Sequence, residues 1–218
     1  MTHNSTPSRR LQLDTLDVDF GQGPAPTYLA GFTRDDLAAR FAVLGFRRGA
    51  EIGVAEGHYS ATICQANPQL DLLLCVDPWR PYRENGRGRA QDKQDLALAA
   101  AQQRLSGYPV QFVRAMSLDA AKDVTDGSLD FVYIDGNHKE SFVYDDLCAW
   151  SPKVRPGGVV AGHDFYEFRQ AGVIAAVRTF TTAHQIREWF VTDALARIKP
   201  ETRQRYKEHS FFWMKPAR

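Results

Sequence analysis

The 218-residue chain is poor in cysteine: Cys64, Cys75 and Cys148 are all it has, far apart and odd in number. No CxxC or Cys/His zinc spacing occurs, and each cysteine falls in an apolar segment, where a thiol acts as a small buried hydrophobe. That composition fits a reducing cytoplasm. The chain also lacks a charge excess: 27 basic residues face 26 acidic ones, for a net charge of +1. It therefore has no general electrostatic grip on nucleic acid or on a membrane surface. No apolar run approaches the roughly 20 residues of a membrane helix, and the opening "MTHNSTPSRRLQLD" has no signal-peptide core. Repeats and low-complexity tracts are missing too, as is the GxGxxG fingerprint of dinucleotide sites.

What is present is alternation. Residues 1–28 are polar and rich in Pro and Gly, which predicts an arm with little structure of its own. "FTRDDLAARFAVLGF" (32–46) reads as a cap helix, with Thr33 capping it, Asp35 and Asp36 in its first turn and Gly45 ending it. Strands are then expected at 49–54, 70–77, 110–116, 129–135 and 157–164. Helices are expected at 58–66, 90–105, 117–124, 140–154 and 171–183. This rhythm specifies a parallel sheet covered on both faces. "IREWFVTD" (186–193) and "SFFWMKP" (210–216) lack a crossover helix between them and read as a closing pair, one of them antiparallel. The domain division that follows is an arm and cap helix over 1–46 and one α/β domain over 47–218.

In such a sheet ligands bind beyond the carboxyl ends of the strands, where strand order reverses. The first strand ends in "EIGVAEGHYS", with Glu51, Gly53 and Gly57 ahead of a helix. Two glycines allow a tight turn and close backbone approach, and their GxxxG spacing suits an adenosine with a charged amino-acid tail better than a diphosphate. Asp77 ends the second strand 24 residues after Gly53, close to the spacing at which a carboxylate meets ribose hydroxyls. Trp79 reads either as a face for adenine or as core, and Ser117, after the third strand, as a reader of the adenine edge or as a helix N-cap. The fourth strand ends in Asp135, followed by Gly136, Asn137 and His138, and the fifth in His163 and Asp164. Neighbouring strand ends would bring these two carboxylates and two imidazoles to one spot.

With these pieces placed, the chain resembles the class I S-adenosylmethionine-dependent methyltransferases, in the small-molecule O-methyltransferase branch of macrocin-type and catechol-type enzymes. The resemblance rests on "EIGVAEGHYSA", "LLLCVDPW", "FVRAMSLDAA", "GSLDFVYIDGNHKESFVYDDLCAW", "VRPGGVVAGHDF" and "SFFWMK", and covers about residues 47–216. It implies a Rossmann-like seven-stranded, mostly parallel α/β sheet in the order 3-2-1-4-5-7-6, with strand 7 antiparallel and helices on both faces. It implies S-adenosyl-L-methionine as cofactor, bound by Glu51, Gly53, Gly57, Ser60, Asp77, Trp79, Ser117 and Asp135. In metal-dependent members a divalent cation sits where Asp135 and Asp164 fall. His163 stands where those members carry a carboxylate, and imidazole suits transition metals better than Mg²⁺.

Methyl transfer to a hydroxyl needs alignment and removal of one proton. Asp135 and Asp164 are expected to anchor a small-molecule acceptor, directly or through the cation, with His138 or His163 as base. Two other readings stand beside this one: an NAD-type oxidoreductase, and a methyltransferase-like binding protein without catalysis. No "NPPY"-like amino-methylation motif follows the fourth strand, which with the balanced charge argues against nucleic-acid methylation. A homodimer is compatible with the sequence. The Arg-rich loop 80–89 reads as a solvated loop or as a lid.

Overall fold

A computed structural model describes residues 25–81, 91–166, 172–193 and 209–217. The elements are β1 (Thr27–Ala30), α1 (Arg34–Val43), β2 (Arg48–Ile52), α2 (His58–Ala66), β3 (Leu72–Val76), α3 (Gln91–Arg104), β4 (Val110–Val113) and α4 (Ser117–Lys122). Then come β5 (Leu129–Ile134), α5 (Glu140–Trp150), β6 (Val154–Gly162), α6 (Gly172–Ala183), β7 (Phe190–Asp193) and β8 (Phe211–Met214).

The strands form one sheet in the order β1-β7-β8-β6-β5-β2-β3-β4. Every pairing is parallel except those of β8, which runs antiparallel to β6 and to β7. Without β1 the order is the expected 3-2-1-4-5-7-6. The sheet nonetheless has eight strands, not seven. Residues 27–30, partly inside the expected arm, pair in parallel with β7 from Thr27–Phe190 to Ala30–Asp193. The open edge of β7 offers unpaired N–H and C=O groups, and β1 satisfies them while burying Leu29, which is 1% exposed. Residues 1–24 of the expected arm and 82–89 of the Arg-rich loop lie outside the described residues.

The alternation of the strands builds two cores, one on each face. Phe131 and Tyr133 of β5 join α1, α2 and α3 on one face. Val132 and Ile134 join α5 and α6 on the other. A strand buried on both sides reads as a continuous apolar run, which is what "LDFVYI" is. Helix α1 belongs to the first core: its Phe41 ring stacks on Phe131 with centroids 4.1 Å apart. Its start follows the expected capping. Thr33 Oγ1 accepts from the Asp36 N–H at 3.1 Å, and the Thr33 N–H donates back to the Asp36 carboxylate at 2.8 Å.

Strand order reverses between β2 and β5, so the loops leaving these two strands diverge above the sheet and open a crevice there.

Candidate active site

The parallel ladder runs one residue past each central strand. The N–H of Gly53 donates to Val76, that of Asp77 to Val113, that of Asp135 to Ile52 and that of His163 to Ile134, at 2.8, 3.2, 2.7 and 2.9 Å. Every one of these residues was singled out from sequence, and each is fixed by the sheet itself before any side chain acts.

At the β2 end, Gly53 has φ +92°, and a Cβ there would strike the carbonyl of Asp135. Only glycine lets the first turn pass so close to the fourth strand end. Ala55 lies at φ +47°, in the left-handed region that glycine ordinarily occupies. The GxxxG turn thus has a third left-handed position, filled by alanine. Asp77 holds it: one carboxylate oxygen accepts from the Ala55 N–H at 3.0 Å and the other from the Trp79 N–H at 2.8 Å. Trp79 Nε1 in turn donates to the Ala55 carbonyl at 2.9 Å. Trp79 is fully buried against Phe112. The adenine role is therefore corrected in favour of the core: the indole braces the turn from below and offers no face to a ligand.

Glu51 is buried beneath this turn, and Ser60 Oγ donates to its carboxylate. Burial pushes the Glu51 carboxyl up to about 8, against the opposing Ser60 hydrogen bond, so it is mostly neutral at pH 7. Ser117 does not cap α4; that position belongs to Met116. Instead Ser117 Oγ accepts from Trp150 Nε1 at 2.8 Å. It also hydrogen-bonds to Asp146, whose carboxyl is raised to about 6 by burial.

The four residues expected at the β5 and β6 ends do meet. His138 Nε2 lies 2.8 Å from Asp164 Oδ2. His163 Nδ1 lies 3.4 Å from Asp164 Oδ1 and 3.7 Å from Asp135 Oδ1. Asp164 adopts φ +55°, a costly backbone for a residue with a Cβ and one that turns its carboxylate back over the sheet end. A cavity of about 10 Å³ opens between Ile134, Asp135, Asn137, His138, His163 and Asp164. Asn137 Oδ1 accepts from the Lys139 N–H at 2.9 Å, while its Nδ2 is buried beside this cavity with no hydrogen-bond partner among the described residues.

The charges are set by these contacts. Burial raises the Asp135 carboxyl to about 6, His163 opposes the rise and Asp164 adds to it. Burial also acts to raise Asp164, yet the hydrogen bonds from His138 and His163 outweigh it and hold that carboxyl well below its usual range. The same bond, donated by His138 to the Asp164 carboxylate, raises His138. Asp164 is thus the fixed anion of the cluster and Asp135 its titrating partner.

Arg34, the first residue of α1, also belongs to the site and was missed from sequence. Its guanidinium lies 5.0 Å over the Tyr59 ring, and one of its nitrogens is 3.4 Å from His163 Nε2. The Tyr59 hydroxyl donates to the Arg34 carbonyl at 2.8 Å, which fixes the start of the helix. An arginine only donates, so His163 Nε2 accepts and its Nδ1 carries the proton toward the two carboxylates. Nothing in linear spacing links position 34 to position 163.

The donor set fits a cation. Asp135, His138 and Asp164 each offer one ligand atom, all within 4.8 Å of one another. His163, the other imidazole expected beside the carboxylates, turns its Nδ1 toward them and its Nε2 toward Arg34.

A family model described as a methyltransferase domain matches residues 50–165. An uncharacterized protein of Sinorhizobium fredii is 30% identical over 135 residues, 58% of this chain, and the match spans 14% of that relative's length. Two solved structures share the fold. The O-methyltransferase TomG of Streptomyces achromogenes, involved in tomaymycin synthesis and solved with SAM, is 17% identical over 84% of this chain and 79% of its own, with a TM-score of 0.55. An O-methyltransferase of Bacillus cereus, in complex with SAH, is 12% identical over 83% of this chain and 80% of its own, with a TM-score of 0.57.

Proposed function

The chain belongs to the methyltransferase-domain family, and from this premise we propose that it transfers a methyl group from S-adenosylmethionine to a hydroxyl of a small-molecule acceptor. One observation carries the reading. The glycine turn of β2 and the polar cluster of β5 and β6 touch, because a Cβ on Gly53 would meet Asp135 itself. A cofactor on that turn would hold its reacting end beside the cluster. The structures of TomG with SAM and of the Bacillus cereus enzyme with SAH support the choice of cofactor.

S-adenosylmethionine, when bound, supplies a methyl carbon on a sulfonium; the remaining tasks fall to the chain. Gly53 and Gly57 leave backbone exposed at the turn. Asp77 presents the spare lone pairs of both oxygens at the β3 end, where a ribose diol would meet them. Glu51, largely neutral, adds no fixed charge beneath the cofactor's tail. Ser117 stands at the rim proposed for adenine. In the transfer the carbon–oxygen bond forms as the carbon–sulfur bond breaks, and the acceptor hydroxyl gives up its proton. Asp135 and Asp164 anchor the acceptor, and proton removal falls to their cluster. Of its two imidazoles His138 meets the acceptor, with its side chain 53% exposed against 10% for His163. We place the reaction in the cytoplasm, where the free thiols Cys64, Cys75 and Cys148 stay reduced. Among the described residues no helix is long and apolar enough to cross a membrane.

Titration calorimetry with S-adenosylmethionine, S-adenosylhomocysteine and NAD tests the reading. Binding of the first two, and not of NAD, is expected. Binding of NAD alone would overturn methyl transfer in favour of a dinucleotide enzyme.

A further inference from the structure

We propose that Arg34, at the start of the cap helix α1, receives the carboxylate of the cofactor's amino-acid tail. The cofactor site then reaches beyond the methyltransferase domain into the segment ahead of it. The inference rests on the methyl-transfer reading and adds to it a residue outside the stretch 50–165 that the family model matches.

Arg34 is placed where two parts of the crevice join. Its guanidinium lies 5.0 Å over the ring of Tyr59, a cation–π contact. Tyr59 is buried in the first turn of α2, two residues after Gly57. Its ring is 4.3 Å from that of Tyr133, two residues before Asp135. The Tyr59 hydroxyl holds the Arg34 carbonyl at 2.8 Å, so backbone and side chain of Arg34 are tied to the same tyrosine. The charge of Arg34 also reaches both parts: it opposes the burial that raises Glu51 under the turn and Asp135 at the end of β5.

Charge then decides which way the tail lies. The carboxylate carbon of S-adenosylmethionine is four bonds from its sulfur, which keeps it within about 5 Å of that atom. A sulfur held between the β2 turn and the β5 end therefore keeps its carboxylate close to both. Asp164 stays ionised and Asp135 titrates near 6, so the acidic cluster repels it. Glu51, mostly neutral at pH 7, does not pair with the tail's charges. Arg34 supplies the positive charge on the α1 and α2 side. A guanidinium carries five N–H donors in a rigid fork that fits a carboxylate two at a time, so it can serve several partners, with one nitrogen 3.4 Å from His163 Nε2. The tail's ammonium faces the other way, toward the carboxylates.

The test is calorimetry on the full chain with three ligands that differ only in the tail. S-adenosylhomocysteine has the whole amino acid, its decarboxylated analogue keeps the ammonium alone, and 5′-methylthioadenosine has neither. The wild type should bind S-adenosylhomocysteine about tenfold or more tighter than the decarboxylated analogue. Arg34→Ala should erase that preference, weakening S-adenosylhomocysteine about tenfold while changing the other two by less than about twofold. Arg34→Lys, a charge without the fork, should fall between. His163→Ala should cost less than Arg34→Ala, since the guanidinium acts on the tail directly. Circular dichroism shows whether each variant is folded. The proposal is overturned if the wild type does not prefer the carboxylate-bearing ligand, a result that needs no variant. It is also overturned if folded Arg34→Ala binds S-adenosylhomocysteine like the wild type, or if it weakens all three ligands equally. Loss of binding of all three by the wild type would instead remove the methyl-transfer reading, and the proposal with it.

Discussion

Two carboxyl groups at the same sheet end differ in state because their neighbours differ. Asp164 has two imidazoles against it and stays ionised; Asp135 has burial and a like charge against it and is pushed to about 6. Asp135→Ala should therefore abolish turnover while leaving the fold, since its side chain is the one proposed to anchor the acceptor and holds up no core. Near-wild-type turnover with an unchanged circular dichroism spectrum would sink that role. Glu51 makes a different prediction. Its folded carboxyl is raised from 4.5 to about 8, so the folded state binds more protons than the unfolded chain between those values. The associated stability is complete below about pH 4.5 and is lost as pH rises toward 8. Glu51→Gln keeps an acceptor for Ser60 and removes the titration. Its stability relative to wild type should rise across that window, reaching on the order of a few kcal/mol at pH 8. Urea melts at pH 5 and pH 8 measure it, and a difference independent of pH would show that Glu51 is not buried in this state.

Helix α1 couples a capping motif to the site. Thr33 fixes the first turn, and the next residue is Arg34, whose guanidinium reaches His163. Thr33→Ala should cost about 1 kcal/mol in denaturant unfolding. It should also lower kcat, because a frayed first turn releases Arg34. A stability loss with kcat unchanged would mean that Arg34 holds its place without the cap. The β2 turn is less forgiving. Gly53→Ala must adopt φ +92° and clear the Asp135 carbonyl at once, so loss of cofactor binding is expected, read by calorimetry. Both elements were visible in sequence, the one by its capping residues and the other by its glycines. Ala55 was not, because its left-handed backbone carries no residue-type signal.

The whole molecule adds one strand to the expected sheet. β1 closes the outer edge of β7 and inserts Leu29 into the core beside Phe32 and Phe190. Leu29→Ala should cost about 2–5 kcal/mol, as large-to-small changes in packed cores do. It should leave cofactor affinity within about twofold, since β1 lies at the far edge of the sheet from β2. A thermal melt with and without S-adenosylmethionine separates the two effects. A loss of affinity along with stability would mean that the edge strand also shapes the crevice.

The alternation of apolar strands and helices determined the doubly covered parallel sheet, the antiparallel closing strand and the strand ends on which chemistry had to fall. These are local properties: a run buried on both faces, a capping box and a glycine turn each write their pattern within a few residues. Only the tertiary structure decided how the gathered side chains pair and which of them stay exposed. It turned His163 toward Arg34 and left His138 open, sent Trp79 into the core, and gave Ser117 to Trp150 and Asp146. It also brought a fifth residue to the cluster, Arg34, 129 positions from His163. The physical reason is that hydrogen-bond and charge pairing across separate elements depends on where the sheet and its helices bring them, and no spacing along the chain encodes that distance.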